Sequence, residues 1–224
     1  IGRNALRYNT TADQNTAVGA LALDGTTTGG NNVAVGYYAL KANTTGAGHV
    51  AIGVNASDAI TTNNYTTAIG FNALTANSAS NVVAVGAYAL NANTTGDYNT
   101  ACGYSSLELN STGNYNTAVG QAALAQNTTS NENVAIGAFA LDANTTGAEN
   151  TAVGTSALSA NTTSSYNTAV GRQSLLHNTG SNNTALGMES GENCTTGSYN
   201  IFLGFRAGLN SATGSNNLFV GYNV

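Results

Sequence analysis

Residues able to do acid–base or nucleophilic chemistry are few in this sequence, and their spacing does not form a catalytic pattern. The two histidines, His49 and His177, take different positions in a repeat that runs through the whole chain. Ser-His-Asp or Cys-His catalysis requires its groups to lie within hydrogen-bond reach of one another. The register of the repeat assembles no such set, so the sequence predicts no catalytic residue and no enzymatic activity.

Acidic side chains are scattered in the same way. Glu132 and Glu149 are the one pair that takes the same position in neighbouring copies of the repeat. Like charges stacked there repel one another, which predicts an exposed edge, with a cation between them as the alternative. The G-G-x-G-x-D signature of calcium-binding coils is missing, so we predict neither a metal site nor a cofactor.

The two cysteines are not expected to pair with each other. Cys102 takes a position that Val or Ile fills in other copies, which predicts a small buried apolar residue. Cys194 lies in a predicted loop more than five copies further along. That separation excludes an intrachain disulfide in a straight stack and leaves a bridge between subunits through Cys194 as the alternative.

Aromatic side chains give the candidate binding residues. Five tyrosines lie five residues before the repeated glycine of their copy: Tyr65, Tyr98, Tyr115, Tyr166 and Tyr199. Tyr98 and Tyr115 come from adjacent copies and have Asn and Thr around them, which makes them candidate glycan-binding residues. The interpretation that we favour is that these rings shield an edge of the fold. A second row just after the glycine, formed by Tyr37, Phe71 and Tyr104, is interpreted as packing.

Asn-x-Ser/Thr triplets recur in the predicted loops. They begin at Asn43, Asn93, Asn110, Asn127, Asn144 and Asn161. In a eukaryotic secretory protein such triplets accept glycans. Sugars on copies only about 4.8 Å apart would crowd one another, so we interpret the triplets as turn chemistry.

A glycine that returns about every seventeen residues organises all of these positions. Of its thirteen intervals, eleven are 17 residues and two are 16. The series includes Gly19, Gly36, Gly53, Gly70, Gly86, Gly103, Gly120, Gly137, Gly154, Gly171, Gly187 and Gly204. A period this short cannot hold two helices with their turns, because helical repeats need about 33 residues or more. Stacked β-coils are the architecture that fits.

Each copy reads N-[T/V]-A-[V/I]-G-x-x-A-L-x-x-N-T-T-G-x-x. The β-branched residues before the glycine predict a short strand, the Ala-Leu pair a second short strand, and the N-T-T-G segment a turn. We therefore predict an all-β parallel β-solenoid (a β-roll) of about thirteen coils. Residues 1–186 form the regular array, and residues 187–224 continue it with variant aromatic coils in which bulk moves from one face to the other.

The two faces of the first strand decide the expected assembly. One face carries Val or Ile, and the other carries Ala in every one of eleven coils. A strand that is apolar on both faces is covered on both, and a thin coil covers only one internally. We therefore expect the Ala face to contact another subunit, with a closed ring as the favoured symmetry. The candidate residues are Ala17, Ala34, Ala51, Ala68, Ala84, Ala101 and Ala118.

An asparagine recurs four residues before the glycine, at positions that include Asn15, Asn32, Asn99, Asn116, Asn133, Asn150, Asn167 and Asn183. Amides stacked at one coil position can hydrogen-bond along the axis as a ladder. His49, Thr66 and Val82 interrupt the series, so we predict that the ladder is weakest in the third to fifth coils.

The N-T-A-V-G core at residues 15–19 and the N-V-A-I-G core at residues 133–137 resemble the head-type (YadA-like) repeats of trimeric autotransporter adhesins. The longer A-L…N-T-T-G form, and the N-x-F-x-G coils at residues 200–208 and 217–222, resemble repeats in bacteriophage tail fibres. This resemblance covers essentially the whole chain. It implies a left-handed parallel β-roll in which three chains form one homotrimeric head or shaft.

Composition and resemblance together favour a structural and adhesive fibre. Only 7% of residues are charged, while 42% are hydrophobic, which is enough to bury a core. The net charge of −5 argues against nucleic acid and anionic membranes as partners, and no apolar run approaches the roughly 20 residues of a membrane span. Ile1 and Gly2 already lie inside the motif, so we expect a segment of a longer protein.

The expected function is therefore that of an extracellular tail-fibre or surface-adhesin segment that displays or contributes to binding of a host glycan or protein receptor. The alternative is an ice-binding or other surface-binding solenoid. Its Thr ladder would consist of Thr44, Thr61, Thr94, Thr128, Thr145 and Thr162. A depolymerising enzyme is a third option, but the repeat supplies no paired carboxylates for it.

Overall fold

Every regular element of the protein is a three-residue parallel strand, and the predicted all-β parallel solenoid is confirmed. The computed structural model describes residues 1–224 and contains thirteen strands and no helix. The strands are β1 (Thr16–Val18), β2 (Val33–Val35), β3 (Val50–Ile52), β4 (Thr67–Ile69), β5 (Val83–Val85), β6 (Thr100–Cys102), β7 (Thr117–Val119), β8 (Val134–Ile136), β9 (Thr151–Val153), β10 (Thr168–Val170), β11 (Thr184–Leu186), β12 (Ile201–Leu203) and β13 (Leu218–Val220).

The chain divides into two compact units, Ile1–Gly113 with β1–β6 and Asn114–Val224 with β7–β13. Within each unit consecutive strands pair in parallel, so equivalent residues of successive coils lie side by side along the axis. The two 16-residue intervals keep this register, because β4 pairs with β5 and β10 with β11 residue for residue. The missing residue is therefore absorbed by the loops, where the backbone is least constrained.

The Ala-Leu segment does not form the predicted second strand. It is a run of turns in which the leucine adopts a left-handed conformation, with φ of 51° at both Leu23 and Leu40. Such conformations cost a non-glycine residue about 1–3 kcal/mol. The backbone N–H of Leu23 donates to the Ala39 carbonyl of the next coil at 3.0 Å, and both leucine side chains are fully buried. These two gains offset the strain.

The repeated glycine allows successive coils to approach closely at the end of each strand. Gly154 has φ of +131°, and a Cβ built on it would lie 2.6 Å from the Gly171 carbonyl oxygen of the next coil. That region of backbone space is open essentially to glycine alone. The period in the sequence is therefore the period of this contact.

The alanine row faces the interior of the coil, so the expectation that it contacts a second subunit is wrong. Ala34, Ala51, Ala68, Ala84, Ala101 and Ala118 are fully buried within one chain, and Ala17 is 7% exposed. The leucine row is buried in the same interior, and the coil is too thin for larger side chains on both walls. The strand face that carries Val, Ile and Thr points outward instead.

The predicted movement of bulk in the variant coils takes place between two walls of one core. Phe202 is fully buried where earlier coils carry Ala, and its ring stacks on Phe219 at 5.4 Å. Gly191 takes the place of the leucine, and a Cβ there would lie 2.7 Å from the Phe202 ring. The phenylalanine thus fills the volume that the missing leucine leaves.

Replacing Gly154 with Ala should destabilise the second unit by about 3 kcal/mol or more, because the methyl group meets backbone and φ is unfavourable for alanine. Thr155→Ala, at the exposed neighbouring position, is the matched control and should change stability by less than about 0.5 kcal/mol. Denaturant unfolding of both variants measures the difference. Equal midpoints would show that the glycine contact is not required.

The exchange of bulk in the variant coils predicts coupling between Phe202 and Gly191. Phe202→Ala should cost about 3–5 kcal/mol through the cavity, and Gly191→Leu about 1–3 kcal/mol through overpacking. Because the leucine would fill the cavity, the double variant should be less destabilised than the sum of the two by about 1 kcal/mol or more. Additive losses in a double-mutant cycle would contradict the shared core.

Candidate interaction surfaces

The asparagines that precede each strand form hydrogen bonds between successive coils inside the protein. The side chain of Asn133 is fully buried. Its Oδ1 accepts from the Asn150 backbone N–H at 3.0 Å, and its Nδ2 donates to the Gly147 carbonyl at 3.0 Å. One amide thus satisfies two backbone groups of the following coil, which would otherwise be buried without partners. The row is structural and is not accessible to a ligand.

His49 replaces an asparagine in this row and reproduces both of its bonds. Nε2–H donates to the Asn63 carbonyl at 2.8 Å, so Nδ1 is the acceptor and receives the Thr66 hydroxyl at 2.8 Å and the Thr66 backbone N–H at 3.3 Å. The side chain is fully buried. Burial lowers the pKa of His49 below its ordinary 6.5, although the bond to Asn63 opposes this. The neutral ring is therefore the form that fits.

The asparagines of the N-T-T-G turns form a second internal row that the sequence analysis missed. Asn110 Nδ2 donates to Asn93 Oδ1 at 2.7 Å and to the Gly113 carbonyl at 3.0 Å. All six asparagines of the Asn-x-Ser/Thr triplets are fully buried, so in the folded protein they do not accept glycans. Their regular stacking was the available signal, since an amide repeated at one coil position can bond along the axis.

Four residues interrupt this second row: Thr26, Ile60, Cys194 and Ser211. Ile60 takes an asparagine position, and the buried Asn43 Oδ1 facing the interruption has no hydrogen-bond partner. Cys194 takes another, is fully buried, and has a pKa raised by burial. The alternative of a bridge between subunits through Cys194 is therefore wrong, because its thiol is inside the coil.

The outward strand face, here called the outer face, is made of the residues on either side of the central alanine in each strand. It contains no charged residue in any strand, and it leaves large apolar side chains in solvent, such as Ile136 at 41% exposure. Cys102 lies on this face and is exposed, which corrects its predicted burial. Cys102 takes the strand position that Val or Ile takes in other coils, and side chains at that position point outward.

The tyrosines five residues before the glycine lie on a corner of the coil. Each adopts a left-handed conformation, and each is more than half exposed. Tyr98 lies in the first unit and Tyr115 in the second; each presents its ring to solvent within its own unit. Glu132 and Glu149 take the same corner in later coils and are exposed, as expected.

The aromatic residues directly after the glycine are about half exposed, and each also contacts a neighbouring ring. Tyr37 and Phe71 are each 46% exposed, and Tyr104 is 56% exposed. This row therefore packs through ring contacts at the surface of the coil and does not enter the core. Small residues at this position in other coils, such as Ala20 and Ala138, show that the core does not need a ring here.

Five of the charged side chains form ion pairs between neighbouring coils. Glu189 bridges Arg172 and Arg206 of the neighbouring coils, the latter at 2.6 Å, and Arg7 pairs with Asp24 at 2.9 Å. No group of three or more His, Cys, Asp or Glu side chains is placed to hold a metal ion. The structure contains no helix with the length and apolarity needed to cross a membrane.

Comparisons of the chain with protein-family models, with curated proteins and with solved structures returned no match.

The geometry of His49 predicts a pH-dependent stability. Because its pKa is lowered on folding, its contribution is fully present above about pH 6.5 and is lost as pH falls below that value, where the unfolded chain binds the proton first. Thermal unfolding between pH 8 and pH 5 should show this loss. His49→Asn restores the residue of the repeat and should remove that part of the pH dependence. The same slope in both proteins would contradict the assignment.

Proposed function

We propose that the chain is a self-associating segment of an extracellular fibre, in which three copies pack through their outer faces. The observation that carries this proposal is the outer face itself: coil after coil, two rows of uncharged and largely apolar side chains stand in solvent. Monomeric soluble proteins rarely expose contiguous apolar patches of more than a few hundred Å². A regular surface of this kind is typical of a site that another protein covers.

A second copy of the same chain is the partner that fits best. Its coils rise by the same strand spacing of about 4.8 Å, so its outer rows match those of the first copy coil for coil. The outer face offers twelve side chains in the first unit and fourteen in the second, two for each strand. Standard interfaces use about 20–30 residues a side, so both units are expected to contribute. Closed rotational symmetry then avoids open-ended aggregation.

The resemblance to trimeric adhesin heads and phage tail fibres supports three further parts of the proposal: a trimer, a left-handed coil and an extracellular location. On this proposal the segment is a shaft or head that displays, or contributes to, binding of a host-cell glycan or protein receptor. It has no catalytic role, no cofactor and no nucleic-acid partner. The net charge of −5 and the absence of charge on the outer face agree with this assignment.

Ice binding is the second candidate, and one observation favours it: the outer face is regular and presents Thr and Val together, as in β7 and β9. The Thr ladder in the turns suits this function less well. The hydroxyl of Thr44 donates to the Thr61 carbonyl of the next coil at 3.0 Å, and that of Thr145 donates to the Thr162 carbonyl at 3.0 Å. Those protons are not free to bond to ice.

The mass of the protein in solution tests the proposal. Light scattering after size exclusion should give about three chain masses, and Ile136→Lys on the outer face should shift the protein towards the single-chain mass, because a buried lysine at the interface would lack a partner. Thr162→Lys, an exposed turn position, is the matched control and should remain associated. In the associated protein the thiol of Cys102 should react with a thiol reagent only slowly.

A single-chain mass for the unaltered protein, together with rapid modification of Cys102, would overturn the trimer. The outer face would then be a free flat surface, and thermal hysteresis of freezing would decide whether it binds ice.

A further inference from the structure

One surface of the first unit is explained neither by the core nor by the outer face. It consists of the residues directly after the repeated glycine in five successive coils: Tyr37, Val54, Phe71, Ala87 and Tyr104. We call it the aromatic strip. A ring appears in every second coil, and a small or aliphatic side chain lies between. The three rings are exposed by about half of their surface.

Neighbouring residues hold the rings of the strip in place. Tyr38 stacks on Tyr37 with centroids 3.9 Å apart. Tyr88 lies between Phe71 and Tyr104 and meets both edge-on, at 5.5 Å and 6.0 Å. These contacts fix the rings while leaving them in solvent, which lowers the entropy lost when a ligand binds.

The spacing of the strip defines the kind of ligand that fits it. Rings in alternate coils are about 9.6 Å apart along the axis, twice the strand spacing. A β-1,4-linked glycan is straight, and each sugar is turned by about half a turn from the one before. It therefore presents the same ring face at every second sugar, over a distance close to that of two coils.

The polar surroundings also suit a neutral glycan. Asn55 Nδ2 donates to Asn72 Oδ1 at 2.9 Å beside the strip, and both amides retain further capacity to bond to sugar hydroxyls. Lys41 lies over the Tyr38 ring at 4.1 Å, so its charge is held beside the stacked tyrosines. None of the five residues of the strip is charged.

We propose that the aromatic strip binds an extended β-1,4-linked glycan of the cellulose or chitin type, which lies along the axis of the first unit with alternate sugars stacked on Tyr37, Phe71 and Tyr104. This site differs from the corner tyrosines Tyr98 and Tyr115, and it does not depend on the proposed self-association. Apolar sugar faces gain from burial against aromatic rings, and the sugar hydroxyls remain available for hydrogen bonds.

The second unit shows that the strip is not a requirement of the fold. Its equivalent positions are Gln121, Ala138, Thr155, Arg172, Met188, Phe205 and Tyr222. The two rings among them come from adjacent coils and stack on each other at 5.1 Å, so alternate spacing is confined to the first unit. Alanine stands at this position in coils of both units, and substitution of the rings by alanine should leave the coil intact.

Binding of the full chain to insoluble cellulose, insoluble chitin and soluble amylose tests the proposal. Retention on cellulose or chitin is expected, whichever sugar is preferred, and amylose should bind poorly because α-linkages curl the chain. The triple variant Tyr37→Ala, Phe71→Ala, Tyr104→Ala should bind at least about tenfold more weakly, which corresponds to about 1.4 kcal/mol. The control variant Tyr65→Ala, Tyr166→Ala, Tyr199→Ala also loses three exposed rings and should bind normally.

Mass and thermal unfolding are measured on every variant, so that a loss of assembly is distinguished from a loss of binding. Retention that the triple variant loses, at unchanged mass and melting temperature, supports the proposal. Three results would overturn it: no retention on either polymer, equal loss in the control variant, or dissociation of the triple variant. The last would place the strip in a subunit interface, and the first would leave the self-association proposal intact.

Discussion

The close stacking of each coil on the next is the constraint on which the rest of the structure depends. Backbone groups of a coil satisfy one another along the axis, and any buried group that misses its partner is costly. That requirement holds Gly154 and Gly171 so close that a Cβ would lie 2.6 Å from a carbonyl oxygen. It also forces leucines such as Leu23 into left-handed conformations and leaves an interior narrow enough that alanine must line the opposite wall.

The same constraint explains the amide rows. A side chain inside the coil must find hydrogen-bond partners or be apolar, and Asn133 and its equivalents find theirs in the backbone of the next coil. His49 is accepted because a neutral imidazole offers one donor and one acceptor with a similar reach. Where Ile60 interrupts the second row, the amide oxygen of Asn43 is left without a partner. Since stability in repeat proteins is set by contacts between neighbouring coils, an unpaired amide oxygen of this kind lowers the stability of the contact between those two coils.

Much of this could be predicted from the sequence, because a repeated glycine and a β-branched triplet specify strands and their register. The sequence could not predict which face of each strand points into the core. Alternation shows that Ala and Val lie on opposite faces, but the inward choice depends on how much volume Leu40 and its equivalents already occupy. The exposure of Cys102 and the position of the outer face follow from that choice. The left-handed conformation of the leucines could not be predicted either, because the local backbone preference of leucine disfavours it. Only the hydrogen bonds between coils compensate for that strain.

Buried and exposed positions of the coil are under different constraints, and the exposed positions are therefore available for binding surfaces. Interior positions change only where the substitute fits the hydrogen bonds or volume of the core, as His49 does, whereas positions such as Tyr37 and Tyr104 have no core contact to satisfy and differ freely from coil to coil. The rise of the solenoid still sets the distances between them. A polymer whose period differs from two coils would drift out of alignment after a few rings, so the backbone itself would select ligands by their repeat. Within each unit a second copy of the chain has the same rise, so one geometry would suit both the proposed self-association and the proposed binding of a straight glycan.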